Sequence, residues 1–233
     1  MIINLIRHGD PDYDLDRLTK HGQLQAELLA EAWAKENIDA IFSSPLGRAV
    51  ETAQALSKVL NLPITELAFL REMDDVTVED PRNPKLAVWN IRPSHLFKLQ
   101  SFVEGTNSEL FATTSLRTRM DEIHGEVSKF LMNYGIEFQE GQFKLRDETK
   151  LMNNICLFGH YGCHMAILSF LCRLDILAVW RSVFLDTSSV SKILVEKQED
   201  GLVNFRILLL GDTSHLHSAK LQASRNGLQY NIN

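Results

Sequence analysis

The chain has 233 residues, 45% of them hydrophobic and 23% charged, which is enough apolar content for a large core and unlike either a disordered tail or a disulfide-stapled miniprotein. Acidic side chains outnumber basic ones by 30 to 24, for a formal charge of −6, and no basic run offers the phosphate contacts that nucleic acid demands. Apolar runs such as Ile2 to Ile6 are too short to span a bilayer, and the N-terminus lacks the n-region and cleavage site of a secretory signal. The expected setting is the cytoplasm.

Ile2, Ile3, Leu5 and Ile6 form a nearly continuous apolar run, as in a strand buried on both faces, which stops at Arg7-His8-Gly9. Thr19 reads as the cap of a helix with Leu24, Leu28, Ala32 and Trp33 on one stripe. A second strand over Ile38 to Phe42 leads to Ser44-Pro45, a cap followed by a residue preset for the first helical position. The next helix carries Ala49, Ala53, Leu56 and Leu60 on one face.

From about Val76 to Lys150 this rhythm lapses into a stretch with Pro81, Pro84 and Pro93 and a helix from Ser115 to Asn133. It reads as an insertion over the sheet edge, of the kind that carries specificity. The pattern resumes with a strand at Asn154 to Phe158, the turn Gly159-His160-Tyr161-Gly162 and a helix over Cys163 to Leu171. Val190 to Val195 and Val203 to Leu210 read as a hairpin turning near Glu199-Asp200-Gly201. The order predicts an α/β fold: a three-layer αβα sandwich around a mostly parallel sheet, with residues 1–233 as one domain and 76–150 as its inserted, partly helical segment.

His8 and His160 each follow an apolar strand and precede a turn into helix, and ligands of open α/β sheets bind at the carboxyl ends of strands. Arg7 stands beside His8. Arg48 lies in the first turn of a helix, where its guanidinium joins exposed N–H groups in holding an anion. A cationic pocket in an acidic protein is thereby expected.

Metal readings fail on spacing. Asp10, Asp12, Asp14 and Asp16 alternate like the start of a calcium loop, but Leu15 and His21 stand where that loop needs Gly and Glu. Cys156, His160, Cys163 and His164 lack the spacing of a closed zinc site. With Cys172 the cysteines number three, without a Cys-x-x-Cys pair, and read as reduced packing residues. No metal and no cofactor is expected.

The ordered set Arg7-His8-Gly9, Leu18-Thr19-x-x-Gly22-x-x-Gln25-Ala26, Ser43-Ser44-Pro45-Leu46-x-Arg48-Ala49-x-x-Thr52-Ala53, Arg71-Glu72 and Gly159-His160 resembles the histidine phosphatase superfamily, which includes the cofactor-dependent phosphoglycerate mutases. Thr213-Ser214-His215-Leu216 fits the same order. The resemblance implies that His8 is a nucleophile that takes up a phosphoryl group, with Arg7, Arg48 and His160 around the phosphate oxygens. Glu72 would be the general acid and base, with Asp74 and Asp75 as rivals for that role. His215 would lie near the site without reacting.

Two departures from the family pattern bear on substrate. The run after Arg-His-Gly is Asp10-Pro11-Asp12-Tyr13-Asp14, so Asp14 is expected to point away and Tyr13 or a backbone N–H to face the phosphate. His160 is followed by Tyr161-Gly162 where many relatives have two glycines. The expected activity is hydrolysis of a small phosphomonoester, with a phosphoglycerate mutase and a catalytically silent phospho-ligand binder as alternatives, and with a homodimer compatible with any of these. The segment from Val76 to Phe111, through Arg82, Trp89, Arg92 and His95, is expected to choose the substrate, together with Tyr13 and Tyr161.

Overall fold

The computed structural model describes residues 1–78, 80, 83, 85–92 and 114–227. Its main sheet has six strands: β1 (Ile2–Arg7), β2 (Ala40–Ser43), β3 (Ile64–Glu66), β4 (Asn154–Gly159), β5 (Val190–Lys197) and β6 (Val203–Asp212). Their spatial order is β6-β5-β1-β4-β2-β3. β1, β4, β2 and β3 run parallel, while β5 and β6 form the expected hairpin, with β5 antiparallel to β1.

Side chains alternate across this sheet because successive Cβ atoms of a strand point to opposite faces. Ile6, Cys156 and Phe158 pack with Leu29, Trp33, Ala53 and Leu56 of α1 (Lys20–Trp33) and α2 (Gly47–Leu60). Ile3, Leu5, Ile155 and Leu157 face the other way. That face is covered by α3 (Leu116–Met132), α4 (Tyr161–Cys172) and the short α5 (Ile176–Ser182), so the sandwich has three layers.

Two expectations need correction. The buried stripe of α1 is Gly22, Gln25, Ala26, Leu29, Ala30 and Trp33, while Leu24 and Ala32 are exposed. A search for large apolar residues passes over this face because it is built from small residues and a glutamine that binds a loop. Ser44 does not cap α2: Leu46 is the N-cap residue, and the first amide, Gly47 N, is met instead by Asp16 Oδ2 at 2.8 Å. α3 packs on the sheet, where its Phe130 stands edge-on to Phe42 of β2 at 5.1 Å.

The structure adds a hairpin, Ile136–Gln139 with Gln142–Leu145. Its turn uses positive φ at both Glu140 and Gly141. The usual sequence signal for such a turn is Asn-Gly or Asp-Gly, which the glutamate hides.

Leu56 is fully buried between α2 and the sheet. Leu56→Ala should lower unfolding stability by about 2–5 kcal/mol, since a methyl group would replace a side chain in a layer that cannot collapse freely. Urea denaturation of the two proteins measures the difference.

Candidate active site

Register brings the chemistry together. Arg7 of β1 lies beside Gly159 of β4, and the His8 amide donates to Gly159 O at 2.9 Å. The His8 and His160 rings follow, with centroids 5.1 Å apart. The loop after His8 is held from below by the residues spaced along α1 and α2. Thr52 Oγ1 accepts the Gly9 amide at 3.0 Å, and Gln25 Oε1 accepts the Asp10 amide at 2.8 Å. Gly22 is pressed so closely on this loop that a Cβ there would lie 2.2 Å from Asp10 O. Thr19 caps α1 as expected, accepting from Gly22 N, and its hydroxyl also donates to Asp10 Oδ2.

His8 is buried, and its Nδ1 is 2.7 Å from Gly9 O. A carbonyl only accepts, so Nδ1 carries the hydrogen and the lone pair stands on Nε2. Burial, reinforced by the Arg7 charge, holds the His8 pKa well below the ordinary imidazole value. Burial, then His8 and Arg48, does the same to His160. Both rings are therefore neutral near pH 7. His160 Nε2 meets Ser44 Oγ at 2.8 Å.

The arginines are nearly as deeply placed. Arg7 donates through Nη1 to Leu185 O and through Nη2 to Asn226 O, the latter at 2.7 Å, and its guanidinium lies 5.5 Å from the Phe184 ring centroid. Arg48 Nη1 binds Asp16 Oδ1 at 2.5 Å, and the Tyr13 ring centroid is 5.4 Å from its guanidinium carbon. Three buried nitrogens of this cluster, Nε of Arg7, Nε of Arg48 and Nδ1 of His160, have no hydrogen-bond partner among the described residues. An anion would supply acceptors to all three.

Glu72 also reaches the cluster. Its carboxylate accepts the amides of Gly162 at 3.2 Å and Cys163 at 3.0 Å, the first turn of the helix that His160 precedes, and that of Met73 at 3.0 Å. Burial raises its pKa, and these amides and Arg7 only partly oppose the rise. Asp74 and Asp75 are exposed. Gly162 is required here because a Cβ would lie 2.4 Å from the Trp89 ring and 2.7 Å from Glu72 Oε1.

The remaining expected residues divide. Tyr13 stands at the mouth, edge-on to His8 at 6.5 Å between centroids, and Asp14 is exposed. His215 is two steps from His8: its Nε2 contacts Ser188 Oγ at 3.0 Å, and the Ser188 amide donates to His8 O. The Tyr161 hydroxyl is used on Val183 O at 2.8 Å, so its ring serves as a wall 5.9 Å from the Arg7 guanidinium carbon. Arg92 forms an ion pair with Asp80 at 3.0 Å. Arg82, His95 and Phe111 lie outside the described residues. Cys156 and Cys163 belong to cores on opposite faces of the sheet, which separates the residues of the rejected zinc set.

Sequence reasoning names Asp16, Ser44 and His164 only in other connections, a failed calcium loop, a helix cap and a failed zinc set, and it passes over Asn226. His164 is fully buried with neither ring nitrogen partnered among the described residues, and burial lowers its pKa to about 3. The signal was a polar residue inside the apolar helix Cys163 to Leu171. The carbonyls of Leu185 and Asn226 carry no signal, because they belong to the backbone, and the Asn226 side chain reaches back to Asp10 Oδ1 at 2.5 Å across 216 residues.

Residues 3–89 match the model of the histidine phosphatase superfamily, branch 1, a span that contains Arg7, His8, Arg48 and Glu72. A putative phosphoserine phosphatase of Hydrogenobacter thermophilus is 24% identical over 208 residues, covering 85% of this chain and 92% of that protein. Among solved structures, a phosphoserine phosphatase of Entamoeba histolytica in complex with phosphoserine superposes with a TM-score of 0.63 at 17% identity, over 92% of this chain and 98% of that one. A mycobacterial glucosyl-3-phosphoglycerate phosphatase also gives 0.63, at 18% identity, over 90% and 98%. The paired strand-end histidines, the two arginines and the half-buried glutamate lie in one place, and all of these but His160 fall within the span that matches the histidine phosphatase superfamily.

Proposed function

We propose that the protein hydrolyses a small phosphorylated metabolite through a phosphohistidine intermediate on His8. The observation that carries this reading is the state of the His8 ring: neutral by burial, with its only hydrogen committed to Gly9 O, so that the Nε2 lone pair is free to attack. A neutral imidazole held in one tautomer is a competent nucleophile without a separate base.

The steps follow from the positions of the groups. His8 Nε2 forms a bond to phosphorus as the ester P–O bond breaks, and the protonated Glu72 carboxyl gives its hydrogen to the departing alkoxide. Water then attacks the phosphohistidine, Glu72 takes a proton from it, and the P–N bond breaks to return the electron pair to His8. Arg7, Arg48 and His160 stabilise the transferring oxygens, since phosphoryl transfer depends chiefly on positioning and charge. The raised pKa of Glu72 suits a group that must be protonated in one step and ionised in the next.

Tyr13 and Trp89 are the side chains we assign to the non-reacting part of the substrate, Tyr13 at the mouth and Trp89 against Gly162 and Glu72. Phosphoserine and glucosyl-3-phosphoglycerate, named for relatives, are both small phosphorylated metabolites. No helix among the described residues is long and apolar enough to cross a membrane, and we place the enzyme with soluble substrates in the cytoplasm. The whole chain is read as one catalytic domain with 76–150 as its insertion.

Rapid quench with a labelled phosphomonoester should trap an acid-labile, base-stable adduct in wild type and none in His8→Ala. Retention of most activity by His8→Ala would remove His8 from the nucleophile's role. Glu72→Gln should slow alkyl phosphates far more than nitrophenyl phosphate, because nitrophenolate departs almost unaided. Equal losses on both substrates would take the acid role away from Glu72.

The neutral histidines also have a stability signature. His8, His160, His164 and His215 all have folded pKa values below the ordinary one, His215 at about 4 and His164 at about 3. Below about pH 6.5 the unfolded chain therefore binds more protons at these positions than the folded one, so stability falls as pH drops through that window, by up to about 1.4 kcal/mol per pH unit for each fully titrating group. His124, also lowered by burial, adds to the effect, and Glu72, with its raised pKa, works in the opposite direction, one group against five histidines. Urea midpoints measured between pH 7 and pH 5 should decline, and a flat profile would contradict the neutral assignment.

A further inference from the structure

Ser44 does not cap α2, and its hydroxyl meets His160 Nε2 at 2.8 Å with both residues fully buried. A hydroxyl has one hydrogen and two lone pairs. One lone pair receives the Leu46 amide, 3.2 Å away. The contact with His160 then has two possible directions.

If His160 carried its hydrogen on Nε2 and gave it to Oγ, the serine hydrogen would have no acceptor among the described residues, and the buried Nδ1 lone pair would have no donor. Two polar groups would be left unsatisfied. If the hydroxyl gives its hydrogen to Nε2, one group remains, an N–H on Nδ1. Unpaired buried polar groups are costly, so the second direction wins by one whole group. The group that remains is a donor, on a ring beside His8 and two arginines.

We infer that Ser44 is a positioning residue that holds His160 in the tautomer with its hydrogen on Nδ1, making that nitrogen a hydrogen-bond donor to a phosphate oxygen. A histidinium would donate from both nitrogens and need no such help. Burial keeps His160 neutral, so only one nitrogen donates and the tautomer decides which. The identity of the anion rests on the phosphatase reading, whereas the tautomer rests only on the contacts of Ser44.

Nitrogen-15 NMR of histidine-labelled protein near pH 7 tests the tautomer, with the His160 signals assigned as those absent from His160→Gln. The wild type should show a protonated Nδ1 and an unprotonated Nε2. Calorimetry with inorganic phosphate tests the consequence. Ser44→Ala should mix the tautomers and weaken phosphate binding about ten-fold, and Ser44→Thr, which keeps the hydroxyl, should restore both. A wild-type His160 protonated on Nε2 would overturn the inference without any change at position 44. So would a folded Ser44→Ala protein with wild-type affinity. A wild type with the Nδ1–H tautomer that binds no phosphate would refute the phosphatase reading and leave the tautomer assignment intact.

Discussion

A guanidinium cannot shed its proton inside a protein, so burying two of them side by side obliges the fold to surround them with acceptors. Arg7 and Arg48 are 3% and 6% exposed, and much of the local architecture answers that demand. The chain from Phe184 to Ser189 and the segment near Asn226 bring carbonyl oxygens to Arg7. The loop of aspartates after His8 brings one carboxylate, Asp16, to Arg48. The two arginines are not compensated alike: Arg7 donates to neutral backbone oxygens with Glu72 within Coulombic reach, while Arg48 is paired directly with Asp16.

The same charges explain the histidines. A third and a fourth cation beside Arg7 and Arg48 would add repulsion to an already costly desolvation, so His8 and His160 stay neutral. A neutral ring has a donor on one nitrogen and an acceptor on the other, and the fold uses one each: the lone pair of His8 and the N–H of His160. Gly9 O sets the first choice and Ser44 Oγ the second. Glu72 is the counterpart, a carboxyl whose burial resists ionisation while three amides and Arg7 favour it, which leaves both protonation states within reach.

The layers and the central cluster were legible in the sequence because each rests on a strong local signal. Continuous apolar runs mark β1 and β4, and a histidine at the end of each run marks the site. Thr19, Gly22, Gln25 and Thr52 appeared as spacing before their reason was visible: they grip the loop that carries His8. What remained hidden depends on long-range geometry. The Asp16 carboxylate reaches α2 across 31 residues, the Asn226 carbonyl reaches Arg7 across 219, and neither leaves a local pattern. Ser44 was misread for a related reason, since a serine before a helix is most often its cap, and only the neighbouring strand shows that its hydroxyl is directed to His160.

The packing of Trp89 on Gly162 gives the protein an optical property. Two of its three tryptophans, Trp89 and Trp180, lie within 6.4 Å of each other between ring centroids, with Trp89 in contact with the surroundings of Glu72 and Tyr161. The third, Trp33, sits on the opposite face of the sheet beneath Lys192. Indole emission responds to nearby charge and to neighbouring rings, so the intrinsic fluorescence of this chain combines one indole pair beside the reacting groups with a distant internal standard. Occupancy of the pocket is thereby written into the native spectrum, without any attached label.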